Sequence, residues 1–218
     1  MKEFEALTLR FTELYDEERA LQMAAYMKNK FLFFGIPAPK RRNQYRDVLS
    51  NAKRQGDVDW HLLDQCWDDP HREFQYVVYD YLAALQKHLT YEDVSLIKRY
   101  VSTKQWWDTI DPLSKVIGRI SDERIKHLML EWSQDSDFWL NRTAILHQLE
   151  KKENADPVLL EQILTNNLGS KEFFINKAIG WSLRDRSKTD PAWVKGFIEE
   201  NRAGLSSLSI REGSKYIR

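Results

Sequence analysis

Five positions recur at nearly constant distance along the chain and set the class of fold open to it. Phe74, Trp107, Trp139, Phe174 and Leu208 are separated by 33, 32, 35 and 34 residues. The segments around them carry apolar residues at helical spacing, the pattern of a helix buried along one face. No stretch alternates apolar and polar residues long enough to argue for a sheet. A repeat of this length, with two helices per unit and short connections, is the signature of a helical solenoid. The expected fold is all-α, with HEAT-like repeats because no strict repeat consensus is present, in a single domain covering 1–218.

Individual helices follow from apolar phase and end signals. Leu7, Phe11 and Leu14 mark a first amphipathic helix. A second is expected from Glu17 to about Phe33, with Leu21, Ala24, Ala25 and Met27 near its inner face. Gly35, Pro37 and Pro39 then break the chain, and Pro39 suits the first position of a third helix whose solvent side would carry Lys40, Arg41, Arg42 and Arg46. Helices follow over 57–67, 71–86 and 90–100, the last with Thr90 as cap and Asp93 three residues on. Others begin near Ser121, Ser136, Asp156, Ser170, Asp190 and Ser206.

Charge is informative in its distribution only, since 33 Lys and Arg balance 33 Asp and Glu. A basic run extends from Lys28 to Arg54, an acidic one from Asp57 to Glu73, and a second basic group comprises Arg202, Arg211, Lys215 and Arg218. A neutral chain with such patches can still grip a polyanion on one face. Cys66 is the only cysteine, which excludes an intramolecular disulfide and a cysteine metal cluster and fits a reducing compartment. The first residues lack the apolar core of a signal peptide, and the longest apolar run, Phe31 to Phe34, cannot span a bilayer. The expected location is the cytoplasm.

The repeat register also sorts the charged residues. Three positions after the five anchors stand Val77, Ile110, Arg142, Lys177 and Arg211, so three consecutive units offer a cation at one phase. Asp111 lies four residues after Trp107, one helical turn along the same face, and Trp181 lies seven after Phe174. Phase thus gathers Trp107, Asp111, Arg142, Lys177 and Trp181 towards one groove, which Arg184 extends. A tryptophan wall beside an acid suits a site for a sugar or a cation. The simpler alternative makes Asp111 the cap of a helix restarted by Pro112. Trp60, Trp67, Trp132 and Trp193 sit at apolar phases and are expected in the core.

Other chemistries find no support. The five histidines show no metal-ligand spacing and no HExxH, and the isolated glycines build neither a phosphate loop nor a dinucleotide loop. No GxSxG elbow is present.

Five ordered blocks resemble the AlkD-like DNA alkylation repair glycosylases through nearly the whole chain. They are Tyr26 to Ile36, Arg72 to Gln75, Trp106 to Asp108, Arg142 to Leu146, and Ser170 to Trp181. The resemblance implies a right-handed superhelix of HEAT-like repeats whose concave face holds duplex DNA. It further implies excision of positively charged N3- and N7-alkylated purines such as 3-methyladenine and 7-methylguanine. The family's catalytic aspartate falls on Asp111, and its two sugar-contacting tryptophans fall on Trp107 and Trp181. Arg142 and Arg184 fall on its DNA-binding arginines, with Lys177 and Trp106 expected to join them. In this family the damaged base stays largely stacked, and no metal or organic cofactor is required. A monomer is expected. Pro112 departs from the family pattern and removes a helical hydrogen-bond donor beside the acid. The alternative from another class is a non-catalytic solenoid that binds DNA structures or a protein partner.

Overall fold

A computed structural model describes residues 2–217; Arg218, counted above in the second basic group, lies outside the described residues. They form fourteen α-helices and four short 3-10 turns, with no strand beyond one isolated bridge between Leu32 and His71. Contacts divide the chain between Leu89 and Thr90 into two units.

The first unit holds α1 (Lys2–Thr12), α2 (Glu17–Tyr26), α3 (Ala38–Gln44), α4 (Arg46–Gln55), α5 (Trp60–Asp68) and α6 (Arg72–Ala84). Leu7 and Phe11 of α1 are fully buried, and Phe11 meets Phe74 at 4.8 Å and Phe34 at 5.9 Å between ring centroids. The second helix is shorter than expected. Lys28 and Asn29 adopt left-handed backbone, and Asn29 N–H bonds the carbonyl of Ala24, which ends the helix seven residues early. The next residues are held out of a helix because buried Glu73 accepts from the backbone N–H of Phe34, Gly35 and Ile36 at 3.0–3.2 Å, with Gly35 itself at positive φ. The inner face is corrected in part: Met27 is buried as expected and Ala20 joins it, whereas Leu21 is 66% exposed and Ala25 also faces solvent.

Pro39 is the second rather than the first residue of α3. Arg41, expected in solvent, is 4% exposed. It donates through Nε to the Tyr45 hydroxyl and pairs with Asp80 at 3.7 Å, so a buried charge has its required partners.

The second unit holds α7 (Val94–Ser102), α8 (Trp107–Gly118), α9 (Arg124–Trp132), α10 (Phe138–Leu146), α11 (Pro157–Asn166), α12 (Phe173–Arg186), α13 (Pro191–Glu200) and α14 (Ser207–Gly213). It is two-layered. In one layer α8 packs on α10, α10 on α12 and α12 on α14; in the other α9 packs on α11. Thr90 and Asp93 pair at the entry to α7, while Asp137, Asp156, Asp190 and Ser206 cap α10, α11, α13 and α14. All five repeat anchors fall in the first turn of a second helix: α6, α8, α10, α12 and α14. A buried amide just beyond the anchor closes the preceding corner. Gln75 donates to the carbonyl of Trp67, Asn141 to that of Trp132, and Asn176 to that of Ser170. Trp67 and Trp132 are core residues as expected, whereas Trp60 and Trp193 are only half-buried.

The layer containing α8 is set by close helix approach. A Cβ on Gly118 would stand 1.8 Å from the carbonyl oxygen of His147. That atom is backbone and cannot swing away. We expect Gly118→Ala to destabilise the protein by about 3 kcal/mol or slightly more, through forced separation of α8 and α10. Thermal unfolding checks this, and an unchanged melting temperature would show that the two helices have slack.

Candidate active site

The carboxylate and its support come from two neighbouring second helices. α8 starts after extended Trp106 and runs unbroken through Pro112, so Asp111 is an interior residue and not a cap. Pro112 is the sixth residue of the helix. Its missing N–H forgoes one bond to the carbonyl of Asp108 without ending α8. Asp111 therefore projects from a regular turn, one turn after Trp107.

Arg142 of α10 grips that carboxylate as a fork. Its Nε donates to Oδ1 at 2.8 Å and its Nη2 to Oδ2 at 2.9 Å, while Nη1 donates to the backbone carbonyl of Phe174. The guanidinium side chain is 1% exposed and the Asp111 side chain 16%. Two-point bonding fixes the plane of the carboxylate as well as its position. Burial pushes the Asp111 carboxyl above the usual carboxylate range, and the charge and hydrogen bonds of Arg142 oppose that rise.

Trp181 of α12 forms the facing wall. Its ring centroid is 5.5 Å from the Arg142 guanidinium carbon, 5.6 Å from Lys177 Nζ and 6.0 Å from the Arg184 guanidinium carbon. Lys177 and Arg184 share the buried carboxylate of Glu212 on α14, each at 3.1 Å. A cavity of about 290 Å³ opens beside these groups, lined by Asp111, Lys115, Leu149, Glu150, Trp181, Arg184, Asp185 and Lys188. Around its rim Glu150 binds Lys115 and, at 2.9 Å, Arg119, while Lys188 pairs with Asp185 at 2.9 Å. A larger cavity of about 460 Å³ lies in the first unit beside Arg42 and Arg46. Its one lining carboxylate, Asp80, is already held by Arg41, Arg42 and Tyr45.

Asp111, Arg142, Lys177, Trp181 and Arg184 thus come together in the second unit, with Trp107 half-buried at the head of the helix that bears Asp111. Trp106 packs edge-on against Phe174 at 5.0 Å and tilted against Trp139 at 5.9 Å, beside the anchors Trp139 and Phe174. The cations three residues after the anchors differ in setting. Arg142 is buried on the carboxylate, Lys177 is partly buried on Glu212, and Arg211 is exposed. Lys115, Glu150, Asp185, Lys188 and Glu212 join the site beyond the residues expected from sequence. Helical phase carries a signal for Lys115 and Lys188, which follow Asp111 and Arg184 by one turn; Glu212 carries no local signal.

The arrangement offers a fixed, partly desolvated carboxylate, an indole face, and cations at the rim of an open cavity. It suits an electron-poor centre carried on a polyanion. Among the described residues no group of three or more His, Cys, Asp or Glu side chains stands where it could hold a metal ion. No described helix is long and apolar enough to cross a membrane.

Comparison with protein families matches residues 7–217 to the family described as DNA alkylation repair enzyme. Among solved structures, a chain described as a predicted DNA alkylation repair enzyme from Enterococcus faecalis is similar, with 35% identity and a TM-score of 0.84. The match covers 93% of this chain and 96% of that one. Comparison with curated proteins found no match.

Proposed function

The chain belongs to the DNA alkylation repair enzyme family, and from that premise we propose that it is a monofunctional DNA glycosylase. It hydrolyses the N-glycosidic bond of positively charged N3- and N7-alkylated purines in duplex DNA. The single observation that carries this reading is the Asp111 carboxylate, fixed by Arg142 at a cavity walled by Trp181.

Alkylation at N3 or N7 leaves the purine cationic and weakens its bond to C1′ of the deoxyribose. When that bond breaks, its electron pair passes to the purine nitrogen, which neutralises the base, and positive charge develops on the sugar as an oxocarbenium ion. The leaving group needs no protonation, so one carboxylate suffices where ordinary glycoside hydrolysis uses two. Asp111 stabilises the sugar cation and orients the water that adds to C1′; the proton that water loses passes to the carboxylate or to solvent. Trp107 and Trp181 hold the deoxyribose by their faces. Arg184 and Lys177 meet backbone phosphates at the rim, with Trp106 supporting the wall from the aromatic cluster. Arg142 acts chiefly through Asp111, which it holds ionised and in plane. The open cavity tolerates a base that remains stacked, and a monomer suffices.

The deciding experiment is single-turnover excision from a duplex bearing one 7-methylguanine, with abasic sites read as strand breaks after alkali. Release above the rate without protein supports the reading. Tight duplex binding without release would instead favour a DNA-binding solenoid in which the Asp111–Arg142 pair is purely structural. We also expect an acid limb in the pH–rate profile. Because burial raises the Asp111 carboxyl, activity falls with decreasing pH at values above the ordinary aspartate range. A rate flat down to pH 4 would remove the ionised carboxylate from the mechanism.

A further inference from the structure

We propose that Glu212 is the positioning residue of this site: its one buried carboxylate gathers Lys177, Arg184 and Lys215 into a phosphate-binding array around Trp181 and sets its register. The inference rests on reading the site as a DNA site. Glu212 Oε1 accepts from Lys177 at 3.1 Å, and Oε2 accepts from Arg184 at 3.1 Å and Lys215 at 2.8 Å. The carboxylate side chain is 7% exposed, whereas all three cations reach solvent. Three positive charges on one negative leave the array with a surplus of two. It therefore attracts phosphate while its members stay in fixed places.

Two glycines let the helices deliver this carboxylate. A Cβ on Gly180 would stand 2.6 Å from Glu212 Cβ, and one on Gly213 would stand 2.9 Å from Leu183 Cβ. α14 is thereby pressed onto α12, and Glu212 enters beneath the face that carries Lys177, Trp181 and Arg184 at successive turns. Lys215 and Lys177 hold the Glu212 carboxyl down at about 2, so it is ionised throughout the working range. A neutral amide could not hold three cations together. They would repel one another and splay, with more freedom to pair with phosphates anywhere along a duplex and less ability to seat one nucleotide against Trp181.

This predicts a split that loss of fold would not produce. Relative to wild type, Glu212→Gln should bind undamaged duplex at low salt at least as well, with the log K against log salt slope steeper by about one, because one competing carboxylate is gone. Its single-turnover excision of 7-methylguanine at saturating protein should fall by about 10- to 100-fold, the cost of a misplaced substrate. Glu212→Asp keeps the charge but draws back by one methylene, so it should retain the wild-type salt slope and still excise slowly. A wild-type slope or a wild-type rate in Glu212→Gln overturns the proposal. If Glu212→Gln does not fold, a wild-type rate in Glu212→Asp overturns it. Should wild type release no base, the glycosylase reading fails, and the salt slopes alone then decide the role of Glu212.

Discussion

Asp111→Asn lowers single-turnover excision of 7-methylguanine by about 100- to 1,000-fold while duplex binding stays close to wild type. The substitution keeps the shape of the side chain, and its amide oxygen accepts one of the two Arg142 bonds while its NH2 forgoes the other, so the cavity wall keeps its outline. What disappears is the negative charge opposite the developing sugar cation. The residual rate comes from lesion lability and from the indole faces, neither of which depends on the carboxylate. Removing that charge also leaves the guanidinium of Arg142 buried without its counterion, although the carbonyl of Phe174 still accepts one bond. A loss of about 3 kcal/mol in stability is therefore expected alongside the kinetic defect. The assay belongs well below the variant's melting temperature, so that the two effects are read separately. Unchanged turnover by folded Asp111→Asn would end the assignment of Asp111, and lost duplex binding would recast it as a structural ion-pair partner.

The repeat was legible because every anchor opens the second helix of its pair, and the aromatic anchors Phe74, Trp139 and Phe174 pack into ring clusters. Trp139 and Phe174 meet at 4.9 Å, and Trp106, the neighbour of the anchor Trp107, leans on both, so the cluster holds an aromatic at or beside the anchor phase in three consecutive repeats. Helix ends with local caps, as at Asp156 and Asp190, were legible for the same reason. The early stop of α2 was not, because Phe34 to Ile36 are held in a non-helical turn of chain by Glu73, 37 to 39 residues away in sequence. Helical phase brought Asp111 and Trp181 into one site but could not distinguish the cations three residues after each anchor. Their fates depend on what the neighbouring repeats supply. Arg142 finds Asp111 from the unit before it and the carbonyl of Phe174 from the unit after it, and is buried. Lys177 finds Glu212 on α14, while Arg211, on the last α-helix, stays exposed. A charge counted as a phosphate contact from sequence is thus placed, by its neighbours, beneath the carboxylate.

Arg142→Ala should accordingly be costly in stability and move the pH dependence of catalysis as well as its rate. Removing one member of a buried pair costs about 3–5 kcal/mol, because the partner keeps its desolvation without its counterion. For a chain of this size that corresponds to a fall of roughly 10 °C in melting temperature. The pH dependence identifies the origin of the cost. Burial already raises the Asp111 carboxyl, and Arg142 is the first of the influences opposing it. Without the arginine the folded-state pKa rises further above the unfolded value. A carboxyl raised in the folded state contributes stability that is complete below its unfolded pKa and lost as pH rises through the folded one. The deficit relative to wild type should therefore be smallest near pH 4 and widen towards neutrality. Excision should move in the opposite sense: the acid limb shifts to higher pH, and part of the lost rate returns in alkaline buffer as Asp111 ionises. Combining Asp111→Asn with Arg142→Met removes both charges, so the double variant should be more stable than Arg142→Ala alone and show no acid limb. Should Arg142→Ala instead keep the wild-type limb while its salt slope for duplex binding drops by about one, the guanidinium would be a phosphate contact after all, and Asp111 would owe its ionisation to solvent reaching it through the cavity.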